Sequence, residues 1–356
     1  MFGRQNLMDN TQFTRDSHYA PCVYLRNFAN EDGQIFAYRT LVSHARVPLW
    51  KQKSPRGIGY WTHLYTRYAA GQETDEIETW LKQEFEDPAA EPLHKATSDA
   101  RLTAQDWTYL VRFLAAQMLR TPGYFAKNLP RWQANAPKLL ESALRDSVSM
   151  LEAAKQSGQT LESSSFPNKE YLPIRVSAHI EPGQSSGQLK ASVVVGRGFW
   201  LFNMRHILGG AARVLHDHRW SILAPHDGLS WFSSDDPVIR LNYAANGSYD
   251  FNGSLNRQHG KILFPLGPRH LMYTQIGGPR RPSRETLSRE LTETIRRMIA
   301  QHAFRMIFAV SPDENVLGLR PRVVSPEQFR NERESQLNWH ADQTAAERNV
   351  MSTASS

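Results

Sequence analysis

Apolar residues recur at helical intervals through the first half of the chain and contract into short alternating runs through most of the second. Trp107, Leu110, Val111, Leu114 and Met118 stand at i, i+3, i+4, i+7 and i+11, one face of a helix. Thr103 followed by Asp106 supplies the capping signal at its start, and Thr121-Pro122-Gly123 ends it. A preceding helix is predicted from 74 to about 96, carrying Ile77, Trp80, Leu81 and Phe85, and a following one over about 136–156. Upstream, Gln34 to Tyr38 reads as a strand after the turn Glu31-Asp32-Gly33, and 41–72 as an irregular connection.

Beyond an exposed linker at 157–167 the period changes. Residues 189–195 read as extended and 199–215 as helix, while 220–224 and 229–232 flank His226-Asp227-Gly228 and predict a hairpin. Strands follow at 238–243, 261–266 and 271–275, then a helix over 283–302 and a strand over 305–310. Helices first and mostly antiparallel strands afterwards predict an α+β fold. The expected division is a flexible N-terminus at 1–17, a helix-rich subdomain at 18–160, a sheet-containing α+β subdomain at 170–330 and a disordered tail at 335–356.

Composition narrows the class. At 356 residues and 40% hydrophobic content the chain can bury a sizeable core. It opens without a cationic, apolar leader, and no run reaches the roughly 18 apolar residues that span a bilayer, so the expectation is a soluble, cytoplasmic protein without a membrane partner. A lone Cys22 excludes an internal disulfide and any cysteine-based zinc site within one chain, which suits a reducing compartment. The net charge of +7 rests on 32 arginines against 10 lysines. That preference matches the codon usage of a high-GC bacterial genome, and equally a surface that binds nucleic acid or another polyanion weakly. The oligomeric state is not encoded in any pattern here.

Two separated stretches stand out: His18-Tyr19-Ala20-Pro21-Cys22-Val23-Tyr24-Leu25-Arg26-Asn27-Phe28, and Trp231-Phe232-Ser233-Ser234-Asp235-Asp236-Pro237-Val238. With IETWLKQEFE at 77–86, FLAAQMLRTP at 113–122 and FPLGPRHLMYT at 264–274, they resemble the domain of unknown function 4238 family over roughly residues 17–330. The family's late motif is similar to Ser-Asp-Asn-Pro-Val, so Asp236 puts a charge where the family shows a neutral amide. The resemblance implies a shared fold and carries no mechanism.

Several polar residues sit where a core is expected. Stepping 100° per residue from Ile77 puts Glu84 between Ile77, Trp80 and Leu81, and a carboxylate in an apolar stripe must be paired, protonated or coordinating. The same construction lines up Phe113, Gln117 and Arg120 along the edge of the next helix, which makes Arg120 the expected partner of Glu84. Asp235 and Asp236 leave an apolar strand ahead of Pro237; Asx-turn capping accounts for one of them, whereas two acids beside Ser233 and Ser234 also suit a site. His18 is a base, a metal ligand or a buried hydrogen-bonding residue, and Arg269 beside His270 could form a phosphate-binding edge. HExxH, GxSxG, a Walker lysine and a glycine-rich phosphate loop are all absent.

Two functional readings follow. In the first, a non-catalytic binding or interaction protein uses these residues as buried polar networks. In the second, a hydrolase of phosphate-containing substrates, such as a metal-dependent nuclease, uses His18, Glu84 and Asp235 to hold a divalent cation or move a proton and Arg120 to offset developing charge, with Gln117, Ser234, Asp236 and Arg269 in binding roles.

Overall fold

The capping box at Thr103 forms as its sequence requires: Thr103 Oγ1 accepts from the Asp106 N–H at 3.1 Å, and Asp106 Oδ2 accepts from the Thr103 N–H at 2.8 Å. The helix it starts, Ala104–Leu119, buries Leu110, Val111, Phe113, Leu114 and Met118 and packs on a second buried helix, Arg197–His216. These positions come from a computed structural model that describes residues 14–69, 72–159, 174–179, 187–244 and 247–352. The chain folds as an α+β protein with several antiparallel sheets.

Arg120 closes the 104–119 helix, and the next one starts at once, because Pro122 needs no N–H at a first helical position and Thr121 Oγ1 caps the Tyr124 N–H at 3.0 Å. That helix, Pro122–Ser157, begins well ahead of the expected 136; the prolines at 130 and 137 inside it obscured its start in the sequence. The helix expected over 74–96 is broken instead into Glu76–Leu81, a π-helical turn Lys82–Glu86 and Ala90–Thr97. Much of the 41–72 connection is paired strand: Trp50–Lys53 lies beside Ile35–Arg39, and Tyr60–Thr62 beside Asp16–His18.

Two sheets organise the second half. The larger runs Ser221–Leu223, His270–Gln275, Lys261–Gly267, Ile239–Tyr243, Tyr249–Asp250, all antiparallel. The other runs Ser233–Ser234, Met306–Ala309, Ile35–Arg39, Trp50–Lys53, so an N-terminal strand sits inside a sheet built with C-terminal ones. The expected hairpin on His226-Asp227-Gly228 does not form, since 221–223 and 233–234 join different sheets. Chain order and spatial layers therefore do not coincide, and the main core cluster reaches from Tyr19 to Trp339. Each fully buried Leu or Phe in it contributes roughly 1.5–3 kcal/mol.

The polar stretch read as a disordered tail from 335 belongs, up to residue 352, to a helix, Pro326–Ser352. Trp339 is buried against Trp61 and Phe125, and Glu347 pairs with the fully buried Arg197 at 2.7 Å. The docking face is mostly polar, which is why an apolar period did not reveal it. Of the N-terminus expected to be flexible, 1–13 lie outside the described residues, while Asp16–His18 is a paired strand. The expected linker lies largely outside them too.

Candidate functional site

Two polar centres meet at the 119–122 junction, one built on Arg120 and the other on Asp235 and Asp236. Arg120 is fully buried at the end of an apolar helix, and every nitrogen of its fork has a partner. Nη1 donates to Glu86 Oε1 at 2.6 Å, Nη2 to the His18 carbonyl at 2.5 Å, and Nε to the Tyr65 hydroxyl at 3.4 Å. Tyr65 in turn donates to the Arg120 carbonyl at 2.5 Å, and Glu78 Oε2 stands 4.0 Å from Nη2. Burial lowers the Arg120 pKa, but Glu86, Tyr65 and Glu78 together raise it further, so the guanidinium stays charged.

The expected Glu84–Arg120 pair is not made. Glu84 is exposed and pairs with Arg112 at 2.9 Å, while Arg120 takes Glu86. The π-helical turn explains both. At roughly 80° per residue instead of 100° over five residues, it carries Glu86 round by about 100° onto the side of Glu78 and swings Glu84 out by about 60°. The sequence did hold a sign of Glu78, which falls beside Leu81 and Phe85 on the helical wheel; nothing in it announced the π turn that recruits Glu86.

Glu78 accepts the His18 N–H through Oε1 at 3.3 Å, and its buried Oε2 has no hydrogen-bond partner. Burial pushes this carboxyl up to about 7, with Arg120 pulling the other way. Gln117, fully buried three residues before Arg120, has neither amide atom hydrogen-bonded. The His18 ring reaches the Arg56 carbonyl, 3.4 Å from Nε2, and lies against Tyr60; burial lowers its pKa.

In the second centre Asp235 ends the short strand Ser233–Ser234, beside Met306–Ala309. Its Oδ1 accepts from the Phe304 N–H at 2.9 Å, and Oδ2 from the Arg305 and Met306 N–H groups at 2.7 and 2.9 Å. Burial pushes the carboxyl up to about 7 against the pull of those three donors. Asp236 accepts from Thr121 Oγ1 at 2.9 Å, its N–H donates to Ser234 Oγ at 3.2 Å, and its carbonyl meets His302 Nδ1 at 2.9 Å. Burial raises its pKa against His302, Thr121, Lys127 and Arg240. Gly123 fits closely here: a Cβ at that position would lie 3.0 Å from Asp236 Oδ2 and 3.2 Å from Phe304 Cβ, so a neighbour would have to give by a few tenths of an ångström. Ser233 Oγ and the Tyr24 hydroxyl share a 2.6 Å bond, which ties the late motif to the first one.

The structure therefore brings Arg120 and the His18 backbone to one centre, with Gln117 buried nearly one helical turn before Arg120, and Ser234, Asp235 and Asp236 to the other. Tyr19 is buried within electrostatic reach of both Tyr65 and Asp235. Glu84 stands apart, and Arg269 is a surface residue bonded to Asp227 at 3.0 Å and to the Leu229 carbonyl. Sequence reasoning missed Glu78, Glu86, Thr121 and His302. Of these, Glu78, Glu86 and Thr121 lie inside stretches already singled out.

This arrangement defines an α+β protein whose most distinctive segments converge on buried polar groups. The chain belongs to the family described as Protein of unknown function (DUF4238), whose model matches residues 17–313. No curated protein and no solved structure matches it. Among the described residues, no helix is long and apolar enough to cross a membrane.

Proposed function

We propose that this is a non-catalytic binding or interaction protein in which the family's motifs build a buried polar framework. The observation that carries the reading is Asp235: both oxygens are committed to three backbone N–H groups of the 304–306 segment, which leaves little of the carboxylate for a substrate or metal. Arg120 is consumed in the same way by Glu86, Tyr65 and the His18 carbonyl. The alternative, a metal-dependent hydrolase, needs His18, Glu84 and Asp235 around one cation. Glu84 instead pairs at the surface with Arg112, and the His18 ring faces Arg56. The partner is a polyanion such as nucleic acid, held weakly through the arginine-rich surface in the cytoplasm.

Asp235→Asn tests the framework. An amide offers one oxygen and one NH2 group to three N–H donors, so stability should fall by roughly 1–3 kcal/mol. DNA and RNA binding in a shift assay should persist in the folded variant and weaken steeply with salt. A stable Asp235→Asn protein that has lost binding would overturn the framework reading. A wild-type chain that binds no nucleic acid at low salt would remove the polyanion.

A further inference from the structure

Away from both centres, three side chains distant in sequence meet where the C-terminal helix docks. His63 follows the strand Tyr60–Thr62, Glu73 lies in the strand Gln72–Thr74, and His340 sits on Pro326–Ser352. One ligand atom from each lies within 4.8 Å of the other two. The His63 and His340 rings stack with centroids 4.1 Å apart and planes 16° from parallel, and His340 Nε2 is 2.6 Å from Glu73 Oε1.

We propose that His63, Glu73 and His340 form a site for a divalent transition-metal ion of the zinc type. Two imidazoles and one carboxylate are the donor set such a borderline cation prefers, and three protein ligands leave a coordination position open to water. His63 and His340 are half-buried and Glu73 is exposed, so an ion has a path in.

Details of the cluster fit the donor roles. His63 holds a left-handed backbone at φ 59°, an uncommon conformation for a residue with a side chain, and this turn is what presents its ring to His340. Its Nδ1 lies 3.1 Å from Thr66 Oγ1, the outer hydrogen bond that commonly fixes a ligating imidazole and directs Nε2 at the metal. Burial and the neighbouring His340 hold the His63 ring below its ordinary pKa, while the His340 hydrogen bond holds the Glu73 carboxyl below its own.

His340 has a rearrangement to make. Its Nδ1 accepts from Arg197 Nη1 at 2.9 Å, so Nε2 carries the proton shared with Glu73. A cation at Nε2 moves that proton to Nδ1 and breaks the bond to Arg197 Nη1. Arg197 keeps Glu347 at 2.7 Å and Thr344 at 3.2 Å, and Glu347 offsets its charge beside the ion. To reach metal–ligand lengths of about 2.0–2.2 Å, the ligand atoms farthest apart, within 4.8 Å of one another, must close by roughly 1 Å, the 2.6 Å His340–Glu73 contact must open, and the stacked imidazoles must tilt so that both lone pairs meet at the ion. Binding would clamp the C-terminal helix onto the 63–74 region.

The test uses the full-length chain stripped with chelator and titrated with Co2+, followed by its visible absorption and by competition with Zn2+. One equivalent should bind, displaceable by Zn2+, and Zn2+ should raise the melting temperature. Glu73→Gln keeps an oxygen for the His340 N–H and so preserves the metal-free contact. His63→Asn suits the left-handed backbone. Each should weaken Co2+ binding roughly tenfold or more. Asp235→Asn should leave it unchanged, which separates this site from the framework reading. The proposal is overturned by no saturable binding at millimolar Co2+, by unchanged affinity in Glu73→Gln, or by loss of the site in folded Asp235→Asn. If His63→Asn fails to fold, Glu73→Gln alone decides.

Discussion

Removing the Glu86 carboxylate leaves the Arg120 guanidinium in a fully buried position without its 2.6 Å partner. Breaking a buried pair from one side costs about 3–5 kcal/mol, because the remaining charge is desolvated and uncompensated. Glu78 moderates this, since its Oε2 has no hydrogen-bond partner and lies 4.0 Å from Arg120, so Glu86→Ala should fall at about 3 kcal/mol, the lower end of that range. At about 2.1 cal/mol/K per residue the unfolding entropy of 356 residues converts this to a melting shift of about 4 °C. Glu84→Ala is the control. Its partner Arg112 and Glu84 itself are both more than a third exposed, so the change should cost less than about 1 kcal/mol. Calorimetric or circular-dichroism melts of the two variants at one pH and salt decide it. Equal shifts, or a larger one for Glu84→Ala, would refute both the π-turn account and the assignment of Arg120's partner.

Asp236→Asn should be nearly silent, within about 0.5 kcal/mol in a denaturant titration, because an amide keeps an oxygen for Thr121 and burial already disfavours the charge. A loss as large as that of Asp235→Asn would show that the charge toward His302 is needed. Glu78→Gln should change how stability depends on pH. With a folded pKa raised to about 7, Glu78 contributes stability that is full below its unfolded value near 4.3 and is lost as pH rises through about 7. The wild-type minus Glu78→Gln difference should therefore decline by up to about 3 kcal/mol between pH 4 and 8, and a flat or rising difference would show that burial does not raise the Glu78 carboxyl.

Local rules written in a few adjacent residues were legible without coordinates. The Thr103 capping box, the apolar stripe from Leu110 to Met118 and the strands near 239–243, 261–267 and 270–275 depend on period and capping chemistry, which act within a turn or two of the chain. So was the α+β class, and the presence of Arg120, Gln117 and Asp235 as polar residues in buried, apolar settings. Tertiary structure decided who their partners are. A π turn of five residues chose Glu86 over Glu84, a phase shift that no stepping at 100° reveals. The three N–H donors to Asp235 come from the segment leading into a strand about 70 residues away, brought alongside only when the sheet forms. The C-terminal helix docks through Trp339, His340, Gln343, Thr344 and Glu347, a mostly polar face whose burial depends on Arg197 and Glu73 waiting opposite. Hydrophobic burial is non-directional and leaves its period in the sequence, whereas hydrogen bonds and ion pairs are directional and take their meaning from groups that only the folded chain sets in place.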